Sequence, residues 1–228
     1  MKQVANRAFA HQVRRGEIVL MAQRKLNFSD VLIVPQKSTV HSRAEVDLNV
    51  EFSFKFATQK MKCTPIMSAN MDTVTNVETA NILAEANWIS VFPKHFNEGW
   101  LDGELPKVLA KNDNFSLSCG TSDQDTEQMI KVAKRIESTF GSPVKMITVD
   151  IANGYLDRLT SVCANLRQRL PDTVICAGNI VTPEGMYELV HNGLVDVVKV
   201  GIGSGAACTT RLKTGVGYPQ FSAVSECQ

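Results

Sequence analysis

The sequence predicts an α/β fold built around a parallel sheet, and two patterns carry this prediction. Short apolar runs rich in valine, isoleucine and small residues alternate with longer segments whose apolar residues recur three and four positions apart. The short runs are typical of strands buried on both faces, and the longer segments are typical of amphipathic helices. Strands that alternate with helices pair in parallel through right-handed crossovers, which defines the α/β class.

Six strands and four long helices follow from these patterns. The predicted strands are PIMSAN (65–70), WISVF (88–92), FSLSCG (115–120), KMITVD (145–150), TVICAG (173–178) and DVVKVG (196–201). The predicted helices are residues 75–86, 124–140, 155–170 and 183–193. Pro183 suits the first turn of the last helix, and Gly193 suits its end. Residues 97–113 are less regular, and we expect a short helix there.

Polar residues follow the carboxyl ends of the predicted strands, and their distribution favours a barrel over a doubly wound sheet. Asn70, Lys94, Asp150 and Asn179 each follow a different strand. A TIM barrel gathers such residues at one rim from many strands, whereas a doubly wound sheet places its site at one switch point. A closed (β/α)8 barrel has eight strand–helix units and about 250 residues. The sequence holds about six units, so we expect an incomplete TIM barrel.

Composition and charge exclude several function classes. The chain has 228 residues, of which 24 are basic and 23 acidic, and its formal net charge is +1. This balance argues against nucleic acid or an anionic membrane as a partner, and no apolar stretch is long enough to cross a bilayer. We expect small-molecule partners and a cytoplasmic location. Residues 1–20 are expected to form a disordered extension, and residues 21–228 the folded part.

The segment GIGSGAACTTRLKTGVGYPQ (201–220), hereafter the cysteine loop, carries the clearest candidate chemistry. Cys208 lies near Arg211 and Lys213, and positive charges favour the nucleophilic thiolate. Thr210 is placed to relay a proton, and the glycines permit backbone carbonyls to point at a cation. The alternative is that Cys208 is a small core residue. The other five cysteines are assigned that role, because no C-x-x-C pair or zinc spacing is present.

The motifs resemble one family in their order as well as their composition. The cysteine loop resembles the catalytic loop of the IMP dehydrogenase and GMP reductase family, and its half TRLKTGVGYPQ is similar to the GMP reductase branch. Further matches are NFSDVLIVPQKSTVHSRAEVDL (27–48), PIMSANMDTV (65–74), PKHF (93–96), TSDQD (121–125), VDIANGY (149–155) and CAGNIVTPEG (176–185). The resemblance covers residues 25–228.

The resemblance implies a reaction and a set of partners. It implies NADPH-dependent conversion of GMP to IMP and ammonia by a homotetramer. Cys208 would attack carbon 2 of the guanine and hold the base as a thioimidate, and Thr210 would relay the proton. Asn179 would contact the substrate ribose or phosphate.

The resemblance also implies residues for two bound groups. A potassium ion would lie among Gly203, Gly205, Cys208 and Arg211. The residues that would contact NADPH are Ser42, Arg43, Lys94, Asp150, Ile151, Ala152, Ile202 and Gly203.

Two departures from the family pattern leave alternatives open. Ser204 and Ala206 stand where the family loop has proline and serine, and that serine helps to hold the substrate phosphate. The family's later barrel strands, which supply further substrate contacts and the carboxylate that activates the threonine, have no counterpart in the sequence, so we expect impaired activity from this chain. The alternatives are an IMP dehydrogenase-like enzyme that oxidises IMP with NAD, and a non-catalytic truncated paralogue.

Overall fold

The computed structural model describes residues 24–94, 99–110 and 113–228, and the backbone of two short strands near the amino end. These strands, β1 (Val13–Arg14) and β2 (Glu17–Ile18), pair antiparallel. Apart from them, the expected disordered extension at 1–20 lies outside the described residues.

An antiparallel hairpin precedes the parallel sheet and was not among the predicted elements. Its strands are β3 (Val50–Ser53) and β4 (Lys60–Cys63). Met61 and Cys63 are buried, while Lys60 and Lys62 are exposed. This alternation is that of a strand with one face in the core, so the hairpin covers something apolar.

A five-stranded parallel sheet forms the centre of the fold. Its strands are β5 (Ser90–Phe92), β6 (Phe115–Cys119), β7 (Met146–Asp150), β8 (Val174–Ile180) and β9 (Val197–Val200). They lie side by side in chain order, and each pairs in parallel with the next. A doubly wound sheet reverses its order at a switch point, whereas a barrel continues in one direction. The strand order therefore confirms the α/β class and the arc of an incomplete barrel.

The predicted strand at 65–70 is reduced to a single parallel bridge between Met67 and Ile89. The Ile89 N–H donates to the Ile66 carbonyl at 2.9 Å, and the Ser68 N–H donates to the Ile89 carbonyl at 3.0 Å. Pro65 has no N–H with which to extend the ladder. The segment thus continues the parallel pairing beside β5 without becoming a regular strand.

Helices connect the strands. They are α1 (Val77–Glu85), α2 (Leu105–Leu109), α3 (Asp123–Phe140), α4 (Asp157–Arg169), α5 (Pro183–His191), α6 (Thr210–Thr214) and α7 (Gln220–Cys227). A π-helical turn, Trp100–Glu104, runs into α2, and 3-10 turns occupy Phe28–Asp30 and Arg43–Glu45. The expected proline opens α5, which ends two residues before Gly193. Within the described ranges, no helix is long and apolar enough to cross a membrane.

The strands bury apolar side chains on both faces, as their composition predicts. Ile147 and Val149 of β7 belong to the cluster that packs with the helices. Met146 belongs to a second cluster with Cys176 of β8 and Met61 of the hairpin. The hairpin therefore covers the inner face of the sheet near the amino ends of its strands.

A buried carboxylate, that of Asp196, joins helix α4, the hairpin and the sheet. Arg167 of α4 donates to the carboxylate of Asp196, whose side chain is fully buried, and the Arg167 side chain is 9% exposed. The same carboxylate accepts hydrogen bonds from the N–H groups of Phe56 at 2.9 Å, Ala57 at 3.1 Å and Ile175 at 3.0 Å. Both charges are therefore satisfied where water does not reach.

We predict that Asp196→Ala lowers the free energy of unfolding by about 3–5 kcal/mol, because it leaves Arg167 buried without a counter-charge. Urea unfolding followed by circular dichroism measures this change. The matched control is Glu127→Ala. Glu127 is the exposed ion-pair partner of Arg169, which lies on the same helix as Arg167, and its removal is expected to cost less than about 1 kcal/mol of unfolding free energy. Equal costs for the two variants would contradict a structural role for the buried pair.

Candidate active site

The carboxyl ends of β7, β8 and β9 bring three predicted site segments together. These are Asp150–Ala152, Asn179 and Gly201–Gly203, which we call the rim. The Asn179 N–H donates to the Ile151 carbonyl at 3.0 Å, and the Asn179 amide donates to the Gly201 carbonyl at 3.0 Å. Asn179 therefore connects the two neighbouring segments directly, and its other side-chain atom, Oδ1, is buried and has no partner among the described residues.

Two glycines of the rim adopt positive-φ backbone conformations, which favour glycine over residues with a side chain. Gly201 has φ of 140° and Gly203 has φ of 71°. A Cβ on Gly203 would lie 2.7 Å from Cγ of Arg211 and 3.0 Å from the Val216 carbonyl oxygen. The cysteine loop therefore folds back on its own start, and its residues pack closely there.

Both ends of the cysteine loop are fixed to the sheet end. The Tyr218 N–H donates to the Ile202 carbonyl at 3.1 Å. The Gln220 amide donates to the Val200 carbonyl at 2.7 Å, which anchors the start of α7 to the last residue of β9. Cys208 lies between these anchors, half-buried, with its own N–H donating to the Gly205 carbonyl at 3.0 Å.

Hydrogen bonding by Thr210 lowers the pKa of the Cys208 thiol. The hydroxyl and the backbone N–H of Thr210 both donate to the sulfur, and they lower the pKa of Cys208 from its ordinary value of 9.0. The positive charge of Arg211 acts in the same direction but contributes less. The sequence indicated neighbouring charges as the cause of a lowered pKa, whereas hydrogen bonding is the larger cause.

The other five cysteines have the opposite character. Each is buried, and burial raises its pKa. The pKa of Cys119 rises to about 12 and that of Cys176 to about 11. Their predicted role as core residues agrees with this burial, and Cys208 alone among the six combines access with a lowered pKa.

The four residues proposed for a cation form two contacting pairs. Gly203 packs against the Arg211 side chain, and the Gly205 carbonyl faces the Cys208 N–H. No group of three or more His, Cys, Asp or Glu side chains suited to a metal occurs in the part of the chain that the structure describes. The loop offers uncharged carbonyl oxygens, and this donor set fits a large monovalent cation better than zinc or magnesium.

The residues proposed for NADPH fall into two groups. Asp150, Ile151, Ala152, Ile202 and Gly203 lie together at the rim. Lys94 is exposed at the carboxyl end of β5, on the same edge of the sheet but two strands from β7.

Ser42 and Arg43 stand apart from the rim. Both are exposed, and Ser42 accepts a hydrogen bond from Ala44 N–H to cap the turn Arg43–Glu45. Among the described residues, no hydrogen bond or ion pair joins either of them to the rim.

Two rim contacts were missing from the predicted site. Lys199 of β9 forms an ion pair with Asp150 at 2.9 Å, and Gln220 closes the loop. A lysine within the apolar run DVVKVG was a usable signal, because a charge in a buried strand requires a partner. The sequence held no comparable signal for Gln220.

Comparison with known proteins shows what the chain is similar to. A model of the IMP dehydrogenase / GMP reductase domain matches residues 25–228. A GMP reductase of Yersinia enterocolitica is 44% identical over 206 residues, and GMP reductase 2 of Homo sapiens is 43% identical over 206 residues. Each alignment covers 89% of this chain and 57% of the relative, so the chain spans little more than half the length of these proteins.

A solved structure agrees with the fold. The crystal structure of inosine 5′-monophosphate dehydrogenase from Legionella pneumophila superposes with a TM-score of 0.71 at 26% identity, and it covers 90% of this chain and 59% of that one. The strand order, the cysteine loop and the extent of the domain match are mutually consistent. The chain belongs to the IMP dehydrogenase / GMP reductase family.

Proposed function

We propose that this chain carries the nucleophile of a GMP reductase, which reduces GMP to IMP and ammonia at the expense of NADPH. The observation that carries the proposal is the accessible Cys208 thiol, whose pKa is lowered by hydrogen bonds from Thr210 at the carboxyl end of β9. The relatives named GMP reductase, at 43–44% identity, support this branch of the family over the IMP dehydrogenase branch.

Cys208 would act as the nucleophile towards the guanine ring. A C–S bond forms at carbon 2, and the C–N bond to the exocyclic amine breaks, which releases ammonia and leaves a thioimidate. When bound, NADPH would supply a hydride to carbon 2. The C–S bond then breaks, and IMP leaves while the sulfur returns to its starting state.

Thr210 would serve the proton transfers around this bond. Its hydroxyl already donates to the Cys208 sulfur, so it is within reach of the atom that loses and regains a proton. The departing amine also requires a proton, and the same hydroxyl would supply it. Asn179, whose Oδ1 has no hydrogen-bond partner among the described residues, would accept a hydrogen bond from a substrate hydroxyl.

The proposal includes two bound groups and an assembly. Carbonyl oxygens of Gly203, Gly205 and Cys208, beside Arg211, would hold a potassium ion that stiffens the cysteine loop. Asp150–Ala152, Ile202 and Gly203, with Lys94, Ser42 and Arg43, would contact NADPH. A cytoplasmic homotetramer completes the proposal, and family resemblance supports it.

We predict that Cys208→Ser lowers GMP reduction by roughly a thousandfold or more, because a hydroxyl is a far poorer nucleophile. Thr210→Val is expected to cost about a hundredfold through the lost proton relay. Thr209→Val is the matched control, since Thr209 is exposed and its side chain caps nothing. The loss of NADPH absorbance on addition of GMP measures all three.

The same assay separates the proposal from its alternatives. Formation of NADH from IMP and NAD, without GMP reduction, would assign the chain to the dehydrogenase reaction. Nucleotide binding that no substrate pair converts to turnover, and that Cys208→Ser leaves unchanged, would favour a non-catalytic protein.

A second prediction concerns thiol reactivity and needs no turnover. Iodoacetamide is expected to modify Cys208 before the five buried cysteines, with a midpoint below pH 9.0, because only the thiolate reacts. Thr210→Val should raise that midpoint towards 9.0, whereas Thr209→Val should not. Peptide mass spectrometry across a pH series measures the midpoint, and an equal shift in both variants would contradict the role given to Thr210.

A third prediction concerns Ala206. Replacing it by serine restores the hydroxyl that the family uses at the substrate phosphate, and one hydrogen bond to a charged group contributes about 1.5–3 kcal/mol. Ala206→Ser should therefore lower the Michaelis constant for GMP by about tenfold or more. Ala207→Ser is the control, since it adds the same hydroxyl to the next exposed residue. Equal effects of the two variants would refute a specific phosphate contact.

A further inference from the structure

An ion pair at the rim joins Lys199 to Asp150, which is one of the proposed cofactor contacts. Lys199 Nζ lies 2.9 Å from Asp150 Oδ2 and 3.4 Å from Asn70 Oδ1. Asp150 ends β7 and Lys199 belongs to β9, so strand β8 runs between them. One lysine therefore joins three separate segments of the fold.

A glycine in β8 makes this contact possible. Asp150 pairs in register with Gly178, and Gly178 pairs in register with Lys199. Neighbouring strands lie about 4.8 Å apart, so the Cα atoms of Asp150 and Lys199 are roughly 10 Å apart. A Cβ added to Gly178 would lie 2.4 Å from the carbonyl oxygen of Lys199 and 2.7 Å from the Cβ of Lys199. The missing side chain thus leaves the path over β8 open.

The pair is shielded enough to matter electrostatically. The side chains of Lys199 and Asp150 are 29% and 25% exposed. Charges that are mostly removed from water interact more strongly than surface pairs do. A lone carboxylate here would repel the phosphates of any nucleotide that approaches the rim. Lys199 removes that repulsion and holds the carboxylate in one orientation.

We propose that Lys199 is a positioning residue for dinucleotide binding, and that it acts through Asp150. The inference rests on the proposed function in one respect, because it takes Asp150 as a contact of NADPH. Lys199 need not touch the dinucleotide. It neutralises Asp150 and fixes the direction in which that carboxylate accepts hydrogen bonds, and Asn70 accepts a hydrogen bond from the same ammonium group.

A double-mutant cycle on NADPH binding tests this proposal. Titration followed by nicotinamide fluorescence gives dissociation constants for the wild type, Lys199→Met, Asp150→Asn and the double variant. Each single change should weaken binding by about tenfold, and the double variant should also be weakened by about tenfold, because Lys199 has no target once Asp150 is neutral. Lys199→Arg should keep most of the affinity. Lys60→Met, which removes an exposed ion pair with Glu51, should change nothing.

Several outcomes overturn the inference. Losses that multiply to about a hundredfold in the double variant would show that Lys199 acts on the ligand independently of Asp150. Unchanged binding in Lys199→Met, or a wild type that binds no NADPH, would also overturn it. A merely structural role would make buried cysteines reactive in Lys199→Met, which iodoacetamide detects. NADPH binding without GMP turnover would contradict the proposed function, but the double-mutant cycle would still test the role of Lys199, because it measures binding alone.

Discussion

The carboxylate of Asp196 is the interaction on which the arrangement of the fold depends. It accepts three backbone N–H groups, from Phe56 and Ala57 in the hairpin and from Ile175 in β8, and it pairs with Arg167 of α4. A fully buried charge is tolerated only when every lone pair is used. The hairpin, the helix and the sheet must therefore meet at this point, at the amino end of β9.

Fixing the amino end of the sheet also determines the carboxyl end. Parallel strands hold their register through a continuous ladder, so the position of Ile175 beside Asp196 sets which residues of β8 and β9 lie opposite one another. Farther along the same ladder, Gly178 falls between Asp150 and Lys199. The register set at the amino ends of the strands therefore places a glycine between Asp150 and Lys199, and this lets the ion pair form across β8.

Regular elements were predictable from the sequence, and long-range contacts were not. Strands β5 to β9 and the four long helices follow from local periodicity, which buried parallel strands and amphipathic helices express strongly. The hairpin was missed because its two strands are half polar and so lack the continuous apolar run that marks a strand buried on both faces. Cys208 and Thr210 could be proposed together because they lie two positions apart in the chain, whereas Lys199 reaches Asp150 across 49 positions and a third strand.

The cysteines show why reactivity depends on position in this fold rather than on residue type. A thiol inside the sheet, such as Cys176, loses water and gains little in return, so its pKa rises to about 11. Cys208 stands beyond the last strand, where the loop is held at both ends but free of the ladder, and its sulfur takes two donors from Thr210. A strand thiol has fewer backbone donors within reach, because the N–H groups of neighbouring strand residues are used in the sheet. The glycines at 201 and 203 let the chain leave β9 and turn, and that turn carries Cys208 away from the ladder to a position where its pKa is lowered rather than raised.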